Sequence, residues 1–225
     1  MKYTTLLFDL DDTLMDFGKS EEYAIERLLE KYSIEVTESN KRLYSAINKS
    51  KWMALEKGEI TRKELFITRF PDYFKALGVE ADGAQANADY MNFLSQGRFV
   101  IDGAEEICRE LKKKFSMYII TNGAKIVQQG RLKDLPLLQN FDGVFISEDV
   151  GFDKPKKEYF DHVFANIPEK DKSKVLVIGD SLDSDIAGAV NYGLDSCWIN
   201  RREDKSSDAT YTVKNLDELY RLLQL

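Results

Sequence analysis

Five short apolar runs, at residues 3–8, 117–121, 144–147, 175–179 and 196–200, alternate with amphipathic stretches along the chain. Runs so short and so continuously hydrophobic suit strands covered on both faces. Their alternation with helical stretches predicts an α/β protein with a Rossmann-like three-layer core: a parallel sheet between two layers of helices. Residues 104–114 read as one of those helices, with Ile107 and Leu111 on its apolar stripe, Glu105 near its positive end and Asp102 placed to cap it. Pro155 suits the first turn of a later helix, and Gly193 the end of one that begins near Ser184. Residues 211–213 are expected to add an edge strand before a last helix at 216–223.

The interval between the first two runs has a different texture. Ile25, Leu28, Leu29 and Tyr32 recur at helical spacing, as do Leu43, Ile47, Trp52 and Leu55, and residues 65–77 and 84–94 suggest two further helices. No strand pattern interrupts them. The expected division is therefore one unit made of residues 1–14 and 95–225, with 15–94 inserted as an all-helical module.

Composition narrows the function classes. Of 225 residues, 43% are hydrophobic and 32% charged, and the formal net charge is -7, which argues against a protein that grips a nucleic-acid backbone. No apolar stretch approaches the roughly 20 residues that span a bilayer, so no membrane partner is expected. The first strand begins almost at Met1 and itself carries acidic chemistry, which argues against a removable leader. Cys108 and Cys197 fall in apolar patterns, predicting buried free thiols and a reducing cytoplasm. His162, the single histidine, cannot build a histidine-rich zinc site or a Ser/His/Asp triad, and a structural or surface role is expected. Assembly is expected to go no further than a monomer or small homo-oligomer.

The chemistry-bearing residues follow the apolar runs. After Leu6-Leu7-Phe8 comes Asp9-Leu10-Asp11-Asp12-Thr13-Leu14, where strand alternation can aim Asp9 and Asp11 into one small volume. An isolated Asp-x-Asp is usually a solvated acidic turn. Here Thr121-Asn122-Gly123, Lys154-Pro155 and Gly179-Asp180-Ser181-Leu182-Asp183-Ser184-Asp185 recur downstream, most of them where a buried strand hands over to a loop. Carboxylates gathered beyond strand ends need a cation, and oxygen-only ligands point to Mg²⁺.

In these four motifs, and in their order, the chain resembles the haloacid dehalogenase-like (HAD) superfamily, whose pattern is Asp-x-Asp-x-Thr, a Thr or Ser, a Lys, and Gly-Asp-x-x-x-x-Asp. The resemblance implies that the helical insertion is a C1-type cap. It implies a Mg²⁺-dependent phosphomonoester hydrolase working through an aspartyl-phosphate, with Asp9 as nucleophile and Asp11 as acid and then base. Thr121 and the Asn122 backbone N–H would hold phosphoryl oxygens, and Lys154 would balance their charge. Asp9 and Asp180 would be carboxylate ligands of the metal, the Asp11 backbone carbonyl a third, and Asp185 would act through water or by holding the others. Thr13 is expected to bond the local backbone, Asp12 to be a solvated or supporting acid, and Asp183 to cap a helix, with Ser181 and Ser184 as further capping candidates.

A finer pattern joins Thr121-Asn122-Gly123, Gln128, Arg131, Leu132, Phe141-Asp142, Ser147-Glu148, Lys154-Pro155, Ser184-Asp185-Ile186, Trp198 and Asn200. It is similar to the bacterial pyrimidine 5'-nucleotidases and implies a nucleoside 5'-monophosphate as substrate. A sugar-phosphate phosphatase or phosphomutase is the alternative, and a non-catalytic phosphate- or nucleotide-binding protein a further one. Asp11 disfavours dehalogenation, because the dehalogenase branch lacks an acid there. Trp52, Phe66, Phe70, Tyr73 and Phe74 could stack on a base, although packing between helices is expected for most of them.

Overall fold

The computed structural model describes residues 2–201 and 206–224. Among them, β1 (Thr5–Phe8) is followed by four helices: α1 (Phe17–Lys31), α2 (Glu38–Glu56), α3 (Arg62–Leu77) and α4 (Gly83–Leu94). The order continues through α5 (Ala104–Lys112), β2 (Ser116–Thr121), α6 (Lys125–Leu132), β3 (Gly143–Ile146), the single turn α7 (Ser147–Val150), α8 (Lys157–Asn166) and β4 (Val175–Gly179). It ends with α9 (Ala187–Tyr192), β5 (Asp195–Ile199), β6 (Tyr211–Val213) and α10 (Leu216–Gln224). The six strands form one parallel sheet in the order β3-β2-β1-β4-β5-β6, the expected Rossmann-like α/β architecture.

Period-two alternation splits the core between the two sheet faces. Leu6, Phe8, Met117, Ile119, Leu176 and Ile178 pack with α5 and α10, while Leu7, Ile120, Val175 and Val177 pack with Tyr159, Phe160 and Val163 of α8. Cys108 and Cys197 are buried thiols of the first layer, as expected. His162 lies exposed on α8, its ring in a T-shaped contact with that of Phe145. No helix among the described residues is long and apolar enough to cross a membrane.

Register sets the site. Phe8 lies opposite Ile119 of β2 and Ile178 of β4, so three strands end nearly level, and the Asp9 N–H donates to the Ile178 carbonyl at 2.8 Å. The chain steps from β1 to β2 and β3 on one side and then crosses over to β4 on the other, so the strand order reverses at β1 and a crevice opens beyond these ends.

Helices α1 to α4 share an apolar cluster built from Ile25, Leu28, Tyr44, Phe70, Tyr73, Phe74 and Tyr90. Phe70, Tyr73 and Phe74 are thus packing residues, with Phe66 against them, whereas Trp52 lines a cavity. Asp16, Thr37, Thr61 and Asp82 cap the four helices, Thr61 in a reciprocal box with Glu64.

Four local expectations need correction. Asp102 does not cap α5, because Gly103 at φ 80° occupies the cap position and no side chain bonds the helix end. Pro155 precedes α8 by two residues instead of sitting in its first turn. The turn at Leu182–Ile186 is capped by Ser181, whose hydroxyl accepts from the Ser184 N–H, and not by Asp183. The Thr13 hydroxyl is buried without a partner, so the expected backbone bond is not made. Gly193 does close α9, at φ 79°.

Candidate active site

Loops from four strands meet beyond the level strand ends. Lys154, between α7 and α8, is wholly buried and directs Nζ to Asp9 Oδ1 at 2.7 Å, Asp185 Oδ1 at 2.7 Å and the Ile120 carbonyl at 2.9 Å. Its three donor hydrogens are thereby all engaged. The Asn122 amide makes a reciprocal pair with the Lys154 backbone, accepting from its N–H and donating to its carbonyl, each at 2.8 Å. Asn122 therefore anchors the lysine through its side chain, a task its sequence position did not suggest.

Asp185 is held at both oxygens, by Lys154 and by the Ser181 N–H at 3.1 Å. Glycine is required at the end of β4, since a Cβ on Gly179 would lie 2.2 Å from Asp185 Oδ2. Asp9, Asp180 and Asp185 each offer an oxygen, and these atoms all lie within 4.8 Å of one another.

One ammonium among three carboxylates leaves an excess of negative charge. Burial, against the attraction of Lys154 and aided by Asp185 and Asp11, pushes the Asp9 carboxyl up to about 8. Burial, with Asp9 and Asp185 adding to it, pushes Asp180 up to about 9. Burial works against the Lys154 ammonium, but Asp185 and Asp9 outweigh it and raise its pKa. Asp9 Oδ2 is buried with no partner. An all-oxygen donor set with an orphaned carboxylate oxygen fits a hard divalent cation such as Mg²⁺.

The carboxylate of Asp11 lies outside this set. Its Oδ1 pairs with Arg131, and its Oδ2 accepts from Gln128 Nε2 at 2.7 Å. Gln128 Nε2 also reaches Thr121 Oγ1 at 2.9 Å, and the Gly123 N–H reaches the same hydroxyl at 3.1 Å. Asp12, at φ 58°, bonds the Phe17 N–H, a left-handed position that favours glycine. All seven expected site residues, Asp9, Asp11, Thr121, Asn122, Lys154, Asp180 and Asp185, line one cavity of about 480 Å³.

Several residues in or beside this cavity have no chemical role that the sequence alone assigns. Gln128 and Arg131 occupy the buried face of α6 beside Val127 and Leu132, and polar residues on an apolar stripe were the available signal. Arg62, at the start of α3, donates to the Asn122 carbonyl at 3.0 Å and Ser147 Oγ at 2.8 Å and pairs with Asp153. Glu21, Asn48 and Arg69 line the cavity from the helical side, and nothing in their spacing distinguished them.

A family model for haloacid dehalogenase-like hydrolases matches residues 3–193. The chain belongs to that family. Among HAD relatives, the HAD-hydrolase YfnB of Bacillus subtilis is 43% identical over the full chain and 97% of its own length. A YfnB crystal structure superposes with a TM-score of 0.95, covering both chains completely; it is bound to magnesium and reveals interdomain movement. The pyrimidine 5'-nucleotidase PynA of Streptococcus pneumoniae is 35% identical over 97% of this chain and 94% of its own. The pyrimidine 5'-nucleotidase YjjG of Escherichia coli is 34% identical over 99% of each.

Proposed function

We propose that this HAD hydrolase is a Mg²⁺-dependent phosphatase of nucleoside 5'-monophosphates, with residues 15–94 forming a helical cap over a core of 1–14 and 95–225. The observation that carries the phosphatase reading is the Lys154-bridged carboxylate cluster, whose Asp9 keeps one buried oxygen unpartnered at a cavity floor. Asp9 would attack phosphorus while Asp11 gives a proton to the departing ester oxygen; Asp11 would then take a proton from the water that hydrolyses the aspartyl-phosphate. Thr121 and the Asn122 N–H would hold phosphoryl oxygens, and Lys154 would offset the negative charge that otherwise repels a phosphate dianion. Asp9, Asp180, Asp185 and the Asp11 carbonyl would hold Mg²⁺. When bound, the ion supplies positive charge to the phosphoryl oxygens.

The nucleotide part of the reading rests on the two pyrimidine 5'-nucleotidase relatives and on a cavity large enough for a nucleotide-sized ligand. The test is phosphate release from nucleoside monophosphates and sugar phosphates with Mg²⁺, comparing the natural chain with Asp9→Asn. Turnover should vanish in the variant while its circular dichroism is retained. Activity surviving the substitution refutes the nucleophile, and a clear preference for sugar phosphates refutes the nucleotide assignment.

A further inference from the structure

Opposite the carboxylate cluster, four cap helices each contribute one polar side chain to a chain of hydrogen bonds that is buried except at its Asn87 end. Asn48 Nδ2 of α2 donates to Glu21 Oε1 of α1 at 2.8 Å, and Arg69 Nη1 of α3 donates to Asn48 Oδ1 at 3.2 Å. Arg69 Nε donates to Asn87 Oδ1 of α4 at 2.9 Å. Arg69 is 1% exposed, Asn48 2% and Glu21 9%. Burial pushes the Glu21 carboxyl up, so the carboxylate is held there at a cost.

A network that only tied helices together would have little reason to bury a guanidinium and leave it short of acceptors. Arg69 Nη2 is buried with no partner, and Arg69, Asn48 and Glu21 all line the cavity that holds Asp9. Two Nη2 hydrogens and one Asn48 amide hydrogen therefore remain as donors beside the Glu21 carboxylate, which accepts from Asn48 and Ser45 and keeps lone pairs for a further donor. Phe17, Trp52, Met91 and Leu94 supply apolar walls to the same cavity.

We infer that Glu21, Asn48 and Arg69 form the subsite that reads the leaving group, recognising the amide edge of a pyrimidine base. A ring carbonyl would accept from Arg69, and the adjacent ring N–H, as in uracil, would donate to Glu21, with the ring faces against the apolar walls. A sugar phosphate without a base has no planar edge to satisfy both ends of this row. The inference rests on the nucleotide reading given above and assigns the side chains that would enforce it.

The test compares kcat/KM for UMP with kcat/KM for ribose 5-phosphate in the natural chain, Arg69→Met and Glu21→Gln. The ratio should favour UMP in the natural chain and fall at least tenfold in each variant, because a site built to hydrogen-bond its ligand discriminates through those bonds. An unchanged ratio, with both substrates affected alike, overturns the inference and makes the network purely structural. A natural chain with no preference for UMP instead overturns the nucleotide reading beneath it. Should Arg69→Met fail to fold, the near-isosteric Glu21→Gln, which retains an oxygen to accept from Asn48, decides the question alone.

Discussion

Arg131, with no exposed side-chain surface, pairs directly with Oδ1 of Asp11, so the proposed acid is held by a buried guanidinium and not by the Lys154 cluster. The same guanidinium donates to the Gly97 carbonyl and to Ser20 Oγ, each at 3.2 Å. Replacing Arg131 with methionine should cut kcat about 100-fold by freeing Asp11 from its geometry. It should also lower stability by about 2 kcal/mol through lost bonds to charged and backbone groups. Steady-state kinetics and urea denaturation check the two effects separately, and an unchanged kcat would show that Asp11 needs no such anchor.

Gly179→Ala should weaken Mg²⁺ binding about 10- to 100-fold, the range seen when groups that orient metal ligands are disturbed. The added methyl would meet Asp185, which Lys154 and the Ser181 N–H hold in place, so the clash cannot be relieved by a simple rotation. Titration calorimetry with Mg²⁺ reads the loss; equal affinity in the alanine variant would contradict the crowding.

Mg²⁺ should stabilise the protein more at pH 8 than at pH 5. In the unfolded chain Asp9 and Asp180 ionise near 3.8, whereas burial first, with neighbouring carboxylates, raises them in the fold to about 8 and about 9. Between these limits the native state binds protons that the unfolded state has released, so metal-free stability is full below the lower limit and declines as pH rises toward the upper one. A bound cation replaces those protons. Melting temperatures with EDTA or with Mg²⁺ at several pH values test this, and a Mg²⁺ increment that shrinks with rising pH would refute it.

Arg62→Ala should release the start of α3 from the loops after β2 and β3, since Asn122, Ser147 and Asp153 receive its donors. Amide hydrogen exchange should quicken at residues 57–66 while β1 and β4 remain protected. Unaltered exchange at those residues would mean that apolar packing alone seats the helix.

The sheet was legible because strands buried on both faces must be apolar without interruption, and residues 175–179 are β4 itself. The convergence of Asp9, Lys154, Asp180 and Asp185 was legible through motif order and the HAD resemblance. Helix ends were not, because Gly103 at φ 80° and the Ser181 hydroxyl decide them through single-residue geometry that Asp102 and Asp183 only mimic in composition. Arg62 and Arg69 were hidden for a different reason. Each meets partners elsewhere in the chain, from 18 to 91 positions apart, and surface arginines look the same in a sequence as buried ones.

Met15 pairs with Val100 as an antiparallel bridge, flanked by hydrogen bonds from the Asp16 N–H to the Phe99 carbonyl and from the Ile101 N–H to the Leu14 carbonyl. The polypeptide thus departs from and returns to the sheet through a single doorway. An ancestor or an engineer could exchange everything beyond that doorway as a cassette, altering what the enzyme admits without disturbing the six strands that arrange its acids.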